Sequence, residues 1–289
     1  MNKRWVIKER GDPEIVQRLS HELNINTLLT NLLVQRGIKT FNEARSFFRP
    51  KLLHLHDPFL LKDMDKAIER IENAIRRQEK ILIYGDYDVD GTTAVALVYT
   101  FLKSIHKEVD FYIPDRYSEG YGISRIGVDF AHENSYSLVI ALDCGIKAVD
   151  NVEYASELGI DFIICDHHLP GDKLPPAVAI IDPKRTDCNY PFDELSGCGL
   201  GFKLIQAFSQ KNHLPFKRLE KYLDLVVVSI AADIVPITGE NRILAYYGLK
   251  LMNSNPRPAF TALLHYSNIK KKNEFQYIEE EFAFNRKLT

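Results

Sequence analysis

The sequence predicts an α/β fold, in which helices cover both faces of a doubly wound, mainly parallel sheet that follows a small helical region. Two observations lead to this prediction. From residue 80 onward, short apolar runs alternate with segments of helical spacing, as in successive β-α-β units. These runs are continuously apolar, which is typical of strands buried on both faces of a parallel sheet. Residues 13–80 instead show the spacing of polar amphipathic helices.

The first helices each carry a local signal. Pro13 is placed to open a helix, and Thr40 followed by Glu43 is a capping box. The predicted ranges of the four helices are 13–23, 28–36, 41–48 and 65–77. We therefore expect a helical N-terminal region over residues 1–78 and an α/β domain over residues 79–255.

The α/β domain is predicted to contain five strands and at least five helices. Ser124 is suited to cap one further helix, whose N-terminal amides would favour an anion. The strands are predicted at 80–86, 109–115, 137–145, 161–168 and 177–184. The helices are predicted at 92–105, 147–158, 199–210, 217–232 and 240–252.

Composition excludes several classes of protein. With 45% hydrophobic and 26% charged residues, the chain is neither disordered, collagen-like nor a disulfide scaffold. No apolar run approaches the roughly 20 residues of a membrane span, and the charged first residues do not form a signal peptide. We expect a cytoplasmic protein without a membrane partner. The four cysteines lack zinc-site spacing, which disfavours a thiolate metal centre.

The distribution of charge is uneven along the chain. Residues 81–240 contain 24 Asp and Glu against 13 Lys and Arg, whereas both flanking segments are basic. A protein that binds polyanions directly is usually basic on its binding face. The acidic middle instead suits a site where carboxylates collect divalent cations, and the cations meet a phosphate.

Acidic residues and histidines follow three of the predicted strands. Carboxyl ends of parallel strands meet at one edge of a sheet, where ligands bind. The residues in question are Asp86, Asp88 and Asp90 after the first strand, Asp143 after the third, and Asp166, His167 and His168 after the fourth. A single aspartate here often caps a helix, but three at alternate positions favour a metal site. Such crowded carboxylates require a compensating cation, and two divalent ions about 3.5–4 Å apart use this set for phosphoester hydrolysis. Oxygen and imidazole ligands suit Mn²⁺, with Mg²⁺ as the alternative.

The same segments resemble a known family. YGDYDVDGTT (84–93), ALDCGI (141–146) and CDHH (165–168) resemble the motifs of the DHH phosphoesterase superfamily. Three further stretches are similar to its single-strand-specific 5′-to-3′ DNA exonucleases: IPDRYSEGYG (113–122), DPKRTDCNYPFDELSGCGLGFKL (182–204) and ADIVPITGENR (232–242). The resemblance covers roughly residues 50–250.

The resemblance implies roles for individual residues. Asp143 would bridge two metal ions, His168 would lie near the scissile phosphate, and Asp166 would orient a histidine. Asn241 and Arg242 complete the last motif. The implied metal ligands are Asp86, Asp88, Asp90, Asp143, His167 and Asp233. Some relatives have His where Tyr84 stands, and Tyr is a poor substitute ligand.

The implied activity is metal-assisted hydrolysis of single-stranded DNA from its 5′ end to 5′-mononucleotides, in DNA repair and recombination. Arg116 or Arg125 would steady a phosphate, because guanidinium groups bind phosphate in a bidentate manner. Tyr117 and Tyr121 are candidates for stacking on bases. A single-strand-binding protein is the partner that the resemblance suggests.

One departure from the family leaves alternatives open. The similar exonucleases continue into a second catalytic domain with a Gly-Gly-His motif, which this sequence lacks. We therefore expect residues 256–289 to be a linker or the start of a truncated second domain, and the chain alone to degrade DNA poorly. The alternatives are a DHH phosphoesterase of oligoribonucleotides, cyclic dinucleotides or other small substrates, and an inactive DHH scaffold that binds single strands.

Overall fold

The computed structural model describes residues 6–266, which fall into two compact units divided between His54 and Leu55. The first unit contains helices α1 (Pro13–Leu23), α2 (Thr27–Val34) and α3 (Phe41–Phe48). Asp12 caps α1 ahead of Pro13, and the predicted capping box of Thr40 and Glu43 is present at the start of α3. A small core forms around the buried side chains of Leu33, Ile38 and Ala44.

The second unit is built on a five-stranded sheet in which every pair of neighbouring strands is parallel. The strands are β1 (Ile81–Gly85), β2 (Val109–Tyr112), β3 (Leu138–Leu142), β4 (Asp161–Cys165) and β5 (Ala179–Ile181), in the spatial order β2-β1-β3-β4-β5. The predicted doubly wound parallel sheet is therefore confirmed.

Helices cover both faces of this sheet. On one face, α6 (Arg125–Glu133) and α7 (Val149–Glu157) enclose a core to which alternate strand residues such as Leu82, Val139 and Ile164 contribute. On the other face, α4 (Met64–Arg76), α5 (Val89–Lys103) and α8 (Gly197–Lys211) pack on the strands, and α9 (Leu223–Ala232) packs on α5 and α8. Because both faces are covered, β1, β3 and β5 are buried throughout, as the sequence predicted, whereas the edge strand β2 exposes Asp110 and Phe111.

Strand order reverses between β1 and β3, since the chain leaves β1 for β2 on one side and later returns to β3 on the other. This reversal is the switch point at which open α/β sheets bind their ligands. Asp86 follows β1 directly, and Asp143 follows β3 directly. The fold thus places two of the predicted metal residues at the switch point.

The last described segment consists of α10 (Gly239–Ser254), which packs on α9, and α11 (Pro258–Tyr266). Helix α11 lies within the segment predicted as a linker or second-domain start, and residues 267–289 of that segment lie outside the described residues. The domain boundaries at 78 and 255 stay predictions. Among the described helices, none is both long and apolar enough to cross a bilayer.

Candidate active site

The turn after β1 carries three aspartates with different surroundings. Asp86 is buried, and its backbone lies so close to Gly91 that a Cβ there would be 2.5 Å from the Asp86 carbonyl oxygen. Asp88 is exposed and caps α5 by accepting a hydrogen bond of 2.9 Å from the Gly91 amide. Asp90, in the first turn of the helix, is buried again. The alternate spacing therefore sends two carboxylates inward, and the third both caps the helix and stays open to solvent.

Asp90 binds the start of α8. Its carboxylate accepts hydrogen bonds of 2.7 Å from the amides of Gly197 and Cys198, and a third of 2.7 Å from Ser229 Oγ. The N-terminus of a helix stabilises a nearby anion through its free amides and its dipole. Asp90 thus joins α5, α8 and α9 at one point.

Asp143 follows β3 in the left-handed region, with φ of 60°. It is buried, and the backbone of Gly197 approaches it so closely that only glycine fits at position 197. The SGCG segment thus serves two aspartates, because its amides bind Asp90 and its missing side chain makes room for Asp143.

Asp166 organises the two histidines after β4. Its Oδ1 accepts hydrogen bonds from the amides of His167 and His168 and lies 2.7 Å from His168 Nδ1, and its Oδ2 accepts one from the Ile146 amide. Burial acts to raise the pKa of Asp166, but these hydrogen bonds and the nearby His168 hold that pKa below its usual value. Oδ1 therefore orients His168, while Oδ2 is held by the Ile146 amide.

His167 lies at the centre of the cluster. Its Nε2 is 3.1 Å from Asp143 Oδ1, 3.6 Å from Asp233 Oδ2 and 3.8 Å from Asp90 Oδ2. Two triads have ligand atoms within 4.8 Å of one another, namely Asp143, His167 and His168, and Asp90, His167 and Asp233. These are five of the predicted catalytic or metal residues, delivered by β3, β4, α5 and the end of α9.

The donor atoms of this cluster fit a divalent cation. Within residues 6–266, Asp86 Oδ2, Asp143 Oδ1 and both ring nitrogens of His167 are buried without a hydrogen-bond partner. Buried polar atoms are normally paired, since leaving one unpaired costs about 1–3 kcal/mol. A cation coordinated by carboxylate oxygens and an imidazole nitrogen would satisfy these atoms, and this ligand chemistry suits Mn²⁺ or Mg²⁺.

The electrostatics indicate the same need for positive charge. Burial, reinforced by Asp90, Asp88, Asp166 and Asp233, raises the pKa of Asp143 to about 11. Burial also raises the pKa values of Asp86, Asp90 and Asp233. Without a cation, this many carboxylates are not ionised together at neutral pH. The charge of Asp88 contributes to the raised pKa of Asp143, although neither triad includes Asp88.

His168 lies at the rim of the cluster, with 45% of its side chain exposed. Its hydrogen bond with Asp166 raises its pKa, against the effect of burial. Its Nε2 lies 3.2 Å from the hydroxyl of Tyr121, which also donates to the Asp143 carbonyl at 3.3 Å. Tyr121 therefore connects the exposed histidine with the backbone of a buried metal residue.

Aromatic rings extend outward from His168. The Tyr121 ring is 5.9 Å from that of His168 and 6.4 Å from that of Tyr87, and the Arg116 guanidinium lies 5.2 Å from the Tyr87 ring. We call Arg116, Tyr87, Tyr121 and His168 the aromatic row. Sequence reasoning missed Tyr87, although its position between two predicted ligands was a signal. Tyr117 is 95% exposed.

The other predicted substrate residues are engaged within the fold. Ser124 caps α6 through the Gly127 amide, as predicted. Arg125 stacks on Tyr154, with its guanidinium 3.5 Å from the ring centroid. Asn241 is completely buried and donates to the carbonyls of Glu194 and Pro236.

Two further residues, Arg242 and Tyr84, are partly or fully buried. Arg242 is half-buried, and burial lowers its pKa. Tyr84, where some relatives have His, is buried, and its hydroxyl bonds to the Gly122 carbonyl and the Ser124 amide. Tyr84 therefore orders the loop before α6.

Comparisons with known proteins show what this chain is similar to. Residues 80–230 match the family model described as the DHH family, N-terminal domain. The chain is 43% identical to the single-stranded-DNA-specific exonuclease RecJ of Bacillus subtilis, over 91% of this chain and 33% of that protein. It is 36% identical to RecJ of Escherichia coli, over 83% of this chain and 43% of that protein. The chain thus spans between a third and a half of these relatives.

Solved structures show the same fold. A crystal structure of RecJ from Thermus thermophilus in complex with Mn²⁺ matches 89% of this chain with a TM-score of 0.74 and 25% identity, over 36% of its own length. A crystal structure of exonuclease RecJ bound to manganese matches 77% of this chain with a TM-score of 0.68 and 30% identity, over 55% of its own length. The resemblance first seen in the sequence motifs is confirmed, and the chain belongs to the DHH family.

Proposed function

We propose that this chain carries the catalytic centre of a metal-dependent exonuclease, which hydrolyses single-stranded DNA from the 5′ end and releases 5′-mononucleotides in DNA repair and recombination. One observation carries the proposal: buried carboxylate and imidazole atoms without hydrogen-bond partners converge at the switch point of a DHH-family sheet. The exonuclease names of the relatives, which this chain matches over part of their length, support the substrate class.

The ions would be held mainly by Asp90, Asp143, His167 and Asp233, with Asp86 and Asp88 beside them. Bound divalent ions neutralise phosphodiester charge and lower the pKa of water toward neutrality. Mn²⁺ is the first choice, Mg²⁺ is the alternative, and a pair of ions is the stoichiometry that we propose. Asp143 is suited to serve both ions because its side chain is central and its Oδ1 has no hydrogen-bond partner among the described residues.

Asp166 and His168 would act on the substrate rather than on the ions. Asp166 fixes Nδ1 of His168, so the opposite nitrogen is directed toward Tyr121. A charged His168 can donate a hydrogen bond to a phosphate oxygen or a proton to the leaving oxygen. Asp166 raises the pKa of His168, which favours the protonated ring.

The aromatic row supports a preference for single strands. Unpaired bases stack on exposed aromatic side chains, whereas duplex DNA keeps its bases stacked on one another. Tyr87 and Tyr121 offer two such rings next to His168, and Arg116 at the far end offers a cation to the backbone. Tyr117, nearby in sequence and almost fully exposed, is a further candidate. A cytoplasmic location and a single-strand-binding protein as partner belong to the same proposal.

The test is digestion of a single-stranded oligonucleotide with a 5′-phosphate and a 3′-label, in Mn²⁺, in Mg²⁺ and in chelator. We expect progressive shortening from the 5′ end that requires metal, is lost in Asp143→Ala and persists in Asp172→Asn, an exposed aspartate outside the cluster. Calorimetry on the same samples measures Mn²⁺ binding.

The other outcomes separate the alternatives. Hydrolysis of dinucleotides or cyclic dinucleotides without digestion of longer strands would replace the exonuclease with a small-substrate phosphoesterase. If the chain binds oligonucleotides but neither Mn²⁺ nor Mg²⁺, the inactive scaffold is the correct description.

A further inference from the structure

The turn after β5 places a lysine at the same edge of the sheet as the candidate active site. Strand β5 pairs with β4, with Ile181 opposite Cys165, and the Asp166 amide donates to the Ile181 carbonyl at 3.1 Å. Asp182 therefore stands beside Asp166. Lys184 follows two residues later, on the side of the cluster where His168 lies.

Asp182 fixes the backbone at this lysine. Asp182 is fully buried, and its Oδ1 accepts a hydrogen bond of 2.7 Å from the Lys184 amide. The next residue, Arg185, is also buried. Its guanidinium donates hydrogen bonds to Asp63, Asp187 and the Ile180 carbonyl. The turn is thus held from both sides of Lys184.

The Lys184 ammonium is available to a ligand. The residue is partly exposed, and across residues 6–266 its side chain has neither an ion pair nor a hydrogen bond. The turn that carries it lies beside the turn that carries His168, because the Asp166 amide bonds to the Ile181 carbonyl and the Lys184 amide bonds to Asp182. By contrast, the Arg125 guanidinium is stacked on Tyr154.

We propose that Lys184 contacts a phosphate of the single-stranded substrate, beside His168. This inference rests on the proposed function and adds a substrate-binding residue to it. A site made of carboxylates repels a polyanion wherever metal ions do not cover it, so a cation at its rim is needed to hold the neighbouring phosphate. An ammonium group on a flexible stem suits this role, because it can follow a phosphate as a point charge.

The experiment compares Lys184→Met and Lys184→Arg with Lys173→Met, which removes an exposed lysine from the segment between β4 and β5. Binding of a 5′-phosphorylated oligothymidylate is followed by fluorescence anisotropy in Ca²⁺ over a range of salt concentrations. Calorimetry gives the Mn²⁺ affinity of each variant, and digestion in Mn²⁺ gives kcat and KM.

We expect Lys184→Met to weaken binding about tenfold, which corresponds to about 1.4 kcal/mol, and to lower the salt slope by about 0.7, as for one lost contact to a single strand. The Lys184→Arg variant should restore the slope, and Lys173→Met should match the wild type. The Mn²⁺ affinity should stay within about twofold of the wild-type value.

Two results would overturn the inference while leaving the proposed function intact. In one, the wild type binds and digests DNA, and Lys184→Met behaves like Lys173→Met. In the other, Lys184→Met loses Mn²⁺ affinity in parallel with DNA affinity, so that the lysine acts on the cluster instead of the substrate. If the wild type itself neither binds nor digests the oligonucleotide, both proposals fail together.

Discussion

Gly197 and Asp143 are in direct contact: a Cβ built on Gly197 would lie 2.5 Å from Asp143 Cβ and 2.6 Å from its Oδ1. The two residues are 54 positions apart, yet the start of α8 and the end of β3 leave no space between them. Placement of the central carboxylate therefore depends on the absence of a side chain at position 197.

Gly197→Ala is the first prediction. The added methyl group must displace either Asp143 or the start of α8, and overpacking of this kind costs about 1–3 kcal/mol. We expect lower stability in urea and at least a tenfold loss of Mn²⁺ affinity by calorimetry. Gly199→Ala is the control, because its nearest neighbour would be 3.3 Å away. Equal Mn²⁺ affinity in both variants would show that Asp143 tolerates displacement.

Ser229→Ala tests the anchoring of Asp90. Ser229 is buried, donates to Asp90 Oδ1 and lies 2.6 Å from Ser196 Oγ. A hydrogen bond to a charged group contributes about 1.5–3 kcal/mol, so we expect a loss of that size in the free energy of unfolding. Ser209→Ala is the matched control, since the buried Ser209 hydroxyl has no partner among the described residues. Equal losses in the two variants would contradict the anchoring role.

These two contacts mark the limit of prediction from sequence. The strands, their parallel order and the residues at their ends follow from apolar runs and from the residues that interrupt them. The hydrogen bond from the Gly197 amide to Asp90 joins residues 107 positions apart, so no local sequence pattern predicts it. The left-handed conformation of Asp143 likewise arises from tertiary packing.

The orientation of the residues at the rim of the site could be predicted even less well from the sequence. Arg125 carries the charge expected of a phosphate contact, but it stacks on Tyr154 of α7. Asn241 belongs to a motif shared with exonucleases, yet it is buried and ties together two loop carbonyls. The type of each residue indicated what chemistry its side chain could perform. The orientation of that side chain depended on neighbours that are distant in sequence.

Asp182→Asn is predicted to change how stability depends on pH. Burial raises the pKa of Asp182 to about 7, while an unfolded chain has an aspartate pKa near 3.9. Between these values the folded protein retains a proton that the unfolded chain releases. Asp182 therefore lowers the free energy of unfolding as pH rises from about 4 to 7. Above pH 7 it no longer changes the dependence of that free energy on pH.

Urea unfolding in chelator at several pH values measures this effect. The wild type should lose up to about 1.4 kcal/mol per pH unit relative to Asp182→Asn between pH 4 and 7. A constant difference between the two proteins across that range would show that Asp182 is ionised in the folded state.

The last prediction concerns Asp143, which costs stability when no metal is bound and binds the ion when metal is present. Without metal its pKa is raised to about 11, so at pH 7 the folded state must take up a proton that the unfolded chain lacks. Asn is close in shape to the protonated acid and avoids this cost. We therefore expect metal-free Asp143→Asn to be at least as stable as the wild type at pH 7, with the difference shrinking toward pH 4.

Addition of Mn²⁺ should reverse the order of the two proteins. A ligand present at 100 times its Kd stabilises the folded state by about 2.7 kcal/mol, and the wild type should gain this stabilisation with a higher Tm. Asp143→Asn should gain less, because a neutral amide oxygen binds a divalent cation more weakly than a carboxylate does. A variant that is destabilised without metal yet still responds fully to Mn²⁺ would mean that Asp143 serves packing and that the ion is held by other residues.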